Sequence, residues 1–141
     1  MQSPSETESI VACQQVVARL AVLLDHDGLE HIDTLFADDP IVSLFGTEVR
    51  GIEAVRMMFR SRTEGVVIRH ALSPSQVELT SPDSARAITY VTVYRGARTD
   101  ASGPLPLTGP VNVVEYEDQF VRVGEGWKIA RREIRMIFKA P

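Results

Sequence analysis

The chain has 141 residues, 44% of them apolar and 24% charged, which suits one folded domain with a sizeable core. A net charge of −4 and a pI near 5.4, with no basic run, argue against a nucleic-acid or membrane-surface partner. Cys13 is the only cysteine, which excludes an internal disulfide and a zinc site built on several thiolates.

Cys13 itself reads as a small core residue. The start MQSPSETES lacks the basic and apolar regions of a signal peptide. No apolar run reaches bilayer length, so a cytoplasmic protein is expected.

The first element is a helix over 7–25. Ile10, Cys13, Val17, Leu20 and Leu24 recur at helical steps, with Val16 and Leu23 widening the stripe. A second helix is expected from Gly28 to Phe36. Asp27 would cap it, with Glu30 completing a capping box. A short strand, Ile41 to Phe45, follows Pro40, and a third helix follows Gly51 with Ile52, Val55, Met58 and Phe59 at helical spacing. From Val66 the pattern turns to strands: Val66–Leu79, with Pro74 marking a bulge or edge, then Ala85–Arg95, Val111–Val123 and Trp127–Phe138. The Gly- and Pro-rich stretch Gly96–Pro110 is long for a hairpin loop, and reads equally as a functional loop or a hairpin tip. Helices first and hairpins after give an α+β layout, a curved and mostly antiparallel sheet packed against helices. The hollow between the two layers is where a small-molecule site is expected.

Two residues stand out for chemistry. Alternation along VVIRHAL places His70 on the same face as Val66, Ile68 and Leu72, toward the interior. A carboxylate partner would orient its imidazole and stabilise the protonated form. Asp27 has capping to explain it, and Asp38 and Asp39 read as a turn before Pro40. Asp25 has no local explanation. It sits beside the apolar stripe at the helix C-terminus, where the dipole disfavours a negative charge. Ile88, Tyr90, Thr92 and Tyr94 share one face of their strand, and Ala87, Thr89, Val91 and Val93 the other; either set fits the interior. Tyr116, Asp118 and Phe120 alternate with Glu115, Glu117 and Gln119 in the same undecided way. Trp127 reads as a packing anchor, and Arg131 and Arg132 point to opposite faces.

The segments LLDHDGLEHIDTLFADDPIV, RGIEAVRMMF, VIRHALSPSQVEL and YEDQFVRVGEGWKIARREI, in that order, resemble the SnoaL-like branch of the nuclear transport factor two-like superfamily. The likeness runs from about Glu8 to Phe138. It implies a cone-shaped α+β barrel enclosing a pocket, in a dimer or higher homo-oligomer. That branch holds polyketide cyclases, scytalone dehydratase, bile-acid dehydratases and ketosteroid isomerase relatives, along with members of no known activity. Asp25 resembles the aspartate ending helix one in the dehydratase-like members, and His70 the strand histidine paired with it.

Those relatives often carry a tyrosine next to the aspartate or five residues before it, where this chain has Leu24 and Leu20. A phenol would then come from Tyr94, Tyr90 or Tyr116. Leu24, Leu20, Phe45 and Phe59 would supply apolar wall. The resemblance thus implies a cofactor-free lyase or isomerase, without metal, acting on a small apolar carbonyl compound such as a polyketide, steroid or terpenoid. Two other readings fit the same fold. One is a non-catalytic binding module. The other is an assembly subunit akin to the β subunits of ring-hydroxylating dioxygenases.

Overall fold

A computed structural model describes residues 4–141. Helix α1 spans Pro4–Asp25 and α2 spans Ile52–Thr63; strands are β1 (Phe36–Leu44), β2 (Thr47–Arg50), β3 (Val66–Leu72), β4 (Gln76–Ser81), β5 (Ser84–Ala97), β6 (Asn112–Val123) and β7 (Gly126–Phe138). The sheet order is β2-β1-β7-β6-β5-β3, with β4 also pairing β5. Pairing is antiparallel except between β1 and β7, which run parallel. The sheet is therefore mixed and open, with β2 at one edge and β3 and β4 sharing the other. The expected α+β arrangement of helices on a mostly antiparallel sheet is present, but the sheet is not a closed barrel: the helices fill one face, and among the described residues no strand pair closes the ring.

The helical stripe of α1 behaves as its period predicts. Cys13, Val16, Val17, Leu20 and Leu24 are all buried against the sheet. By length and composition Ser5–Asp25 of α1 is also long and apolar enough to cross a membrane, contrary to the expectation that no apolar run reaches that length. The packing of that stripe in the core is what a core helix needs. The reading of the polar start falls in part on residues 1–3, outside the described residues.

The expected second helix is instead a short 3₁₀ helix, Leu29–Thr34, with Gly28 before it and no side-chain cap. Asp27 does not cap it. Its φ of 59° is left-handed, and its carboxylate lies 3.5 Å from Arg98. The turn is set by Gly28, whose N–H donates to Leu23 O at 2.7 Å. A Cβ there would meet Leu23 Cδ2 at 2.7 Å and Leu23 Cα at 3.1 Å, so the close approach favours glycine.

Strand β1 begins at Phe36, earlier than expected, with an irregularity between Phe36 and Ile41. Asp39 sits in that irregularity with φ of 52° and pairs with Arg50 at 3.0 Å, as a bulge residue does.

The expected single strand Val66–Leu79 is two strands, broken at Ser73–Ser75. Pro74 has no N–H for a ladder bond. Around it Ser73 N donates to Tyr90 O, Tyr90 N donates to Ser73 Oγ, and Ser75 Oγ meets Thr89 Oγ1 at 2.6 Å. Gln14 of α1 reaches the same break through Ser75 O. Trp127 is buried, with the Arg122 guanidinium 4.6 Å from its ring centre.

Candidate active site

Asp25 is the last residue of α1, and β3 runs directly beside it. The Asp25 carboxylate accepts two hydrogen bonds from one residue: His70 N donates to Oδ2 at 3.0 Å, and His70 Nδ1 lies 2.5 Å from Oδ1. Both side chains are more than nine-tenths buried. The Arg69 guanidinium donates to Asp25 O, satisfying a carbonyl left open by the helix end. These donors offset the unfavourable dipole at the C-terminus of α1. Because a carboxylate accepts from Nδ1–H, the neutral imidazole presents Nε2 as a bare acceptor.

His70 lines a cleft between α2, the end of α1 and the concave face of the sheet. The cleft is narrow, with about 50 Å³ of room for the centres of water-sized molecules, and it opens to solvent at its mouth. Leu24, Phe59, Ile68, Val93, Val114 and Ile134 make it largely apolar, and Phe45 stands at its more exposed end. The polar groups are few: His70, Thr63, Asn112, Tyr116, Arg62 and Arg95. Register explains part of this set. His70 pairs with Val93, and Val93 with Asn112, so the three form one row across β3, β5 and β6. Asn112 Oδ1 accepts from Ala140 N at 3.3 Å, leaving its amide N–H groups as the available donors.

Tyr116 forms the inner wall. It is 4% exposed, and the Arg132 guanidinium lies 4.0 Å from its ring centre. Arg132 is held from behind by Asp118 through bonds of 2.7 and 2.9 Å. Burial pushes the Tyr116 hydroxyl up to about 12, with Arg132 pulling the other way and Asp118 and Asp25 adding to the rise. Tyr116 is therefore a protonated donor throughout the neutral range. Burial opposes the charge on Arg132, but the Asp118 carboxylate outweighs it and the guanidinium stays ionised.

Other expectations are corrected. Tyr90 and Tyr94 are 61% and 40% exposed and lie on the outer face of β5. The small residues Ala85, Ala87, Thr89, Val91 and Val93 face inward instead, leaving room for α1. Leu20 is fully buried in the core and does not line the cleft, whereas Leu24 does. Arg62, Arg95 and Asn112 were missed. Arg95 shares the inward phase of Val91 and Val93, a signal that was present. Asn112 opens a strand and gave none. Among the described residues no group of three or more His, Cys, Asp and Glu side chains is arranged to hold a metal ion.

The sequence matches the SnoaL-like domain family over residues 5–133. No curated protein matches it. Among solved structures, a provisionally assigned scytalone dehydratase of Novosphingobium aromaticivorans superposes with a TM-score of 0.83 at 20% identity, over 99% of this chain and 91% of that one. A type 2 hexachlorocyclohexane dehydrochlorinase, LinA, gives 0.82 at 15% identity over 97% and 90%. An NTF2-like protein with a cystatin-like fold, also from Novosphingobium aromaticivorans, gives 0.74 at 23% identity over 93% and 83%. At these identities the structures speak for the fold alone. With the family match running through nearly all of α1 to β7, the chain belongs to the SnoaL-like domain family.

Proposed function

We propose that the protein is a lyase or isomerase that moves a proton on a small, largely apolar carbonyl compound, with His70 as the base. The observation that carries this reading is the 2.5 Å contact between His70 Nδ1 and Asp25 at the wall of an apolar cleft. It leaves Nε2 as the nitrogen available to a bound molecule.

In the proposed reaction Nε2 takes a proton from the carbon next to the carbonyl. The electron pair of that C–H bond moves to the carbonyl oxygen, and Asp25 stabilises the imidazolium. The Tyr116 hydroxyl, with the Asn112 amide as second donor, hydrogen-bonds the oxygen as its charge grows. The imidazolium then returns the proton. Given to a departing β-hydroxyl, it completes a dehydration; given to another carbon, it completes an isomerisation. No step needs a cofactor. Dehydratase and dehydrochlorinase names among the structural relatives point to the same elimination chemistry.

The test is hydrogen exchange in deuterium oxide, followed by NMR, on two ketones with acidic C–H bonds: neutral 2-tetralone and anionic 2-oxo-4-phenylbutyrate. The wild-type protein should exchange at least one of them faster than buffer, and His70→Gln should abolish the acceleration. Exchange at the buffer rate for both, or undiminished in His70→Gln, would sink the reading. Ligand binding that survives His70→Gln unchanged, with no exchange, would instead favour a binding module.

A further inference from the structure

The chain has 19 acidic residues against 15 basic ones, so acids are not scarce. Most arginines find one: Arg50, Arg86, Arg131 and Arg132 each pair with a carboxylate at 3.1 Å or less. Arg19, Arg60, Arg62, Arg69 and Arg95 do not, and of these five Arg62 and Arg95 are the ones at the cleft. Both line the cleft that holds His70, Arg62 from an exposed position and Arg95 half-buried, and neither side chain forms an ion pair or a hydrogen bond with any described residue. What holds each in place is not an acid. The Arg62 guanidinium lies 5.4 Å from the ring centre of Phe45. Arg95 is fixed at its backbone: Gly109 N donates to Arg95 O, and a Cβ on Gly109 would meet Arg95 Cβ at 2.8 Å. The long loop after β5 thus packs over Arg95.

The two guanidiniums are close enough to repel. Burial and the neighbouring charge of Arg62 both work against the charge on Arg95, with only Tyr116 favouring it. Arginine does not deprotonate to relieve this, so the cost stands unless a counter-charge meets the pair. An anion bound between the two forks would remove it. In an apolar cleft, planar forks suit a carboxylate held through paired N–H···O bonds.

Position completes the argument. Ile68 pairs with Arg95 and His70 with Val93, so His70 and Arg95 are diagonal neighbours on adjacent strands. Such residues lie about 7–8 Å apart. A carboxylate on Arg95 is then a few bonds from a carbon offered to His70.

We propose that the cleft takes a carboxylate-bearing substrate, an organic acid with an apolar body, whose anion is clamped by Arg62 and Arg95. This names the substrate class of the site proposed above and rests on that reading for the reacting carbon.

The test is calorimetric titration of 3-phenylpropionate against its neutral counterpart 3-phenylpropanamide. The acid should bind wild type at least about tenfold tighter, and the preference should weaken as salt is raised. Arg62→Gln and Arg95→Gln should each cut it, the double variant should abolish it, and Arg95→Lys should keep a part. If the glutamine variants fail to fold, Arg95→Lys and the salt series on wild type carry the decision. Equal binding of acid and amide by wild type, or a preference surviving in the folded double variant or indifferent to salt, overturns the proposal. The catalytic reading is separated by proton exchange. An absent acid preference alongside exchange of 2-tetralone refutes the clamp alone. A normal acid preference without any exchange refutes the role of His70 alone.

Discussion

Asp118→Asn tests how far the inner wall of the cleft depends on the charge buried behind it. Asp118 and Arg132 are 0% and 1% exposed, so neither charge has water to turn to once its partner is gone. The substitution keeps the size of the side chain but leaves the Arg132 guanidinium buried without a counter-charge. Removing one partner of such a pair costs about 3–5 kcal/mol. Two charge-assisted hydrogen bonds at about 1.5–3 kcal/mol each lead to the same range. For a chain of this length the loss should lower Tm by on the order of 10–15 °C. Urea unfolding, followed by Trp127 fluorescence and circular dichroism together, measures it. The double variant Asp118→Leu/Arg132→Met removes both charges and should recover most of the loss, and the cycle yields their coupling. A single-variant cost below about 1 kcal/mol, or a double variant no better than Asp118→Asn, would refute the reasoning. Because Arg132 lies over the Tyr116 ring, Asp118→Asn should also slow proton exchange when measured where the variant is folded.

Three further outcomes follow from the geometry. Burial pushes the Cys13 thiol from 9.0 up to about 12, Arg122 opposing, and the Tyr116 hydroxyl from 10.0 up to about 12. The unfolded chain releases these protons first, so stability is intact below about pH 9 and falls as pH rises toward 12, by up to about 1.4 kcal/mol per unit for each group. Cys13→Ala should flatten the first part of that fall and Tyr116→Phe the second; a level profile in wild type to pH 12 would contradict it. Gly28→Ala forces a methyl against Leu23, and overpacking of this kind costs about 1–3 kcal/mol; denaturation showing no loss would mean that the end of α1 relaxes freely. Tyr116→Phe should slow exchange about 10²-fold, while Tyr94→Phe, on the outer face, should leave it unchanged; equal losses in both would remove Tyr116 from the site.

How much of this was legible beforehand varies by element. The stripe from Cys13 to Leu24 foretold the buried face of α1, because 3.6-residue periodicity is a local property. The alternation in VVIRHAL likewise foretold the phase of His70. The 3₁₀ helix was misread because Asp27 and Glu30 mimic a capping box, while the real constraint is the contact between Gly28 and Leu23. That constraint belongs to the turn and leaves no pattern. Pro74 reads as a bulge or an edge, whereas it lies in a break between two strands where Ser73 and Ser75 on either side make the hydrogen bonds that proline cannot.

The two faces of β5 and β6 could not be ranked by alternation. Ile88, Tyr90 and Tyr94 are as apolar as Ala87, Val91 and Val93, and which set turns inward depends on the room the helix layer needs. The helical stripe of α1, the run of strands after Val66 and the places of Asp25 at a helix end and His70 on a strand face were all legible in the chain. All of these follow from short-range spacing. Three things came from long-range packing: the two side chains meet across 45 residues of chain, Tyr116 rather than Tyr90 or Tyr94 reaches the cleft, and Arg62 and Arg95 both line it without an acid. Each of those depends on which strands become neighbours, and strand pairing is settled by packing between distant segments, not by any local signal.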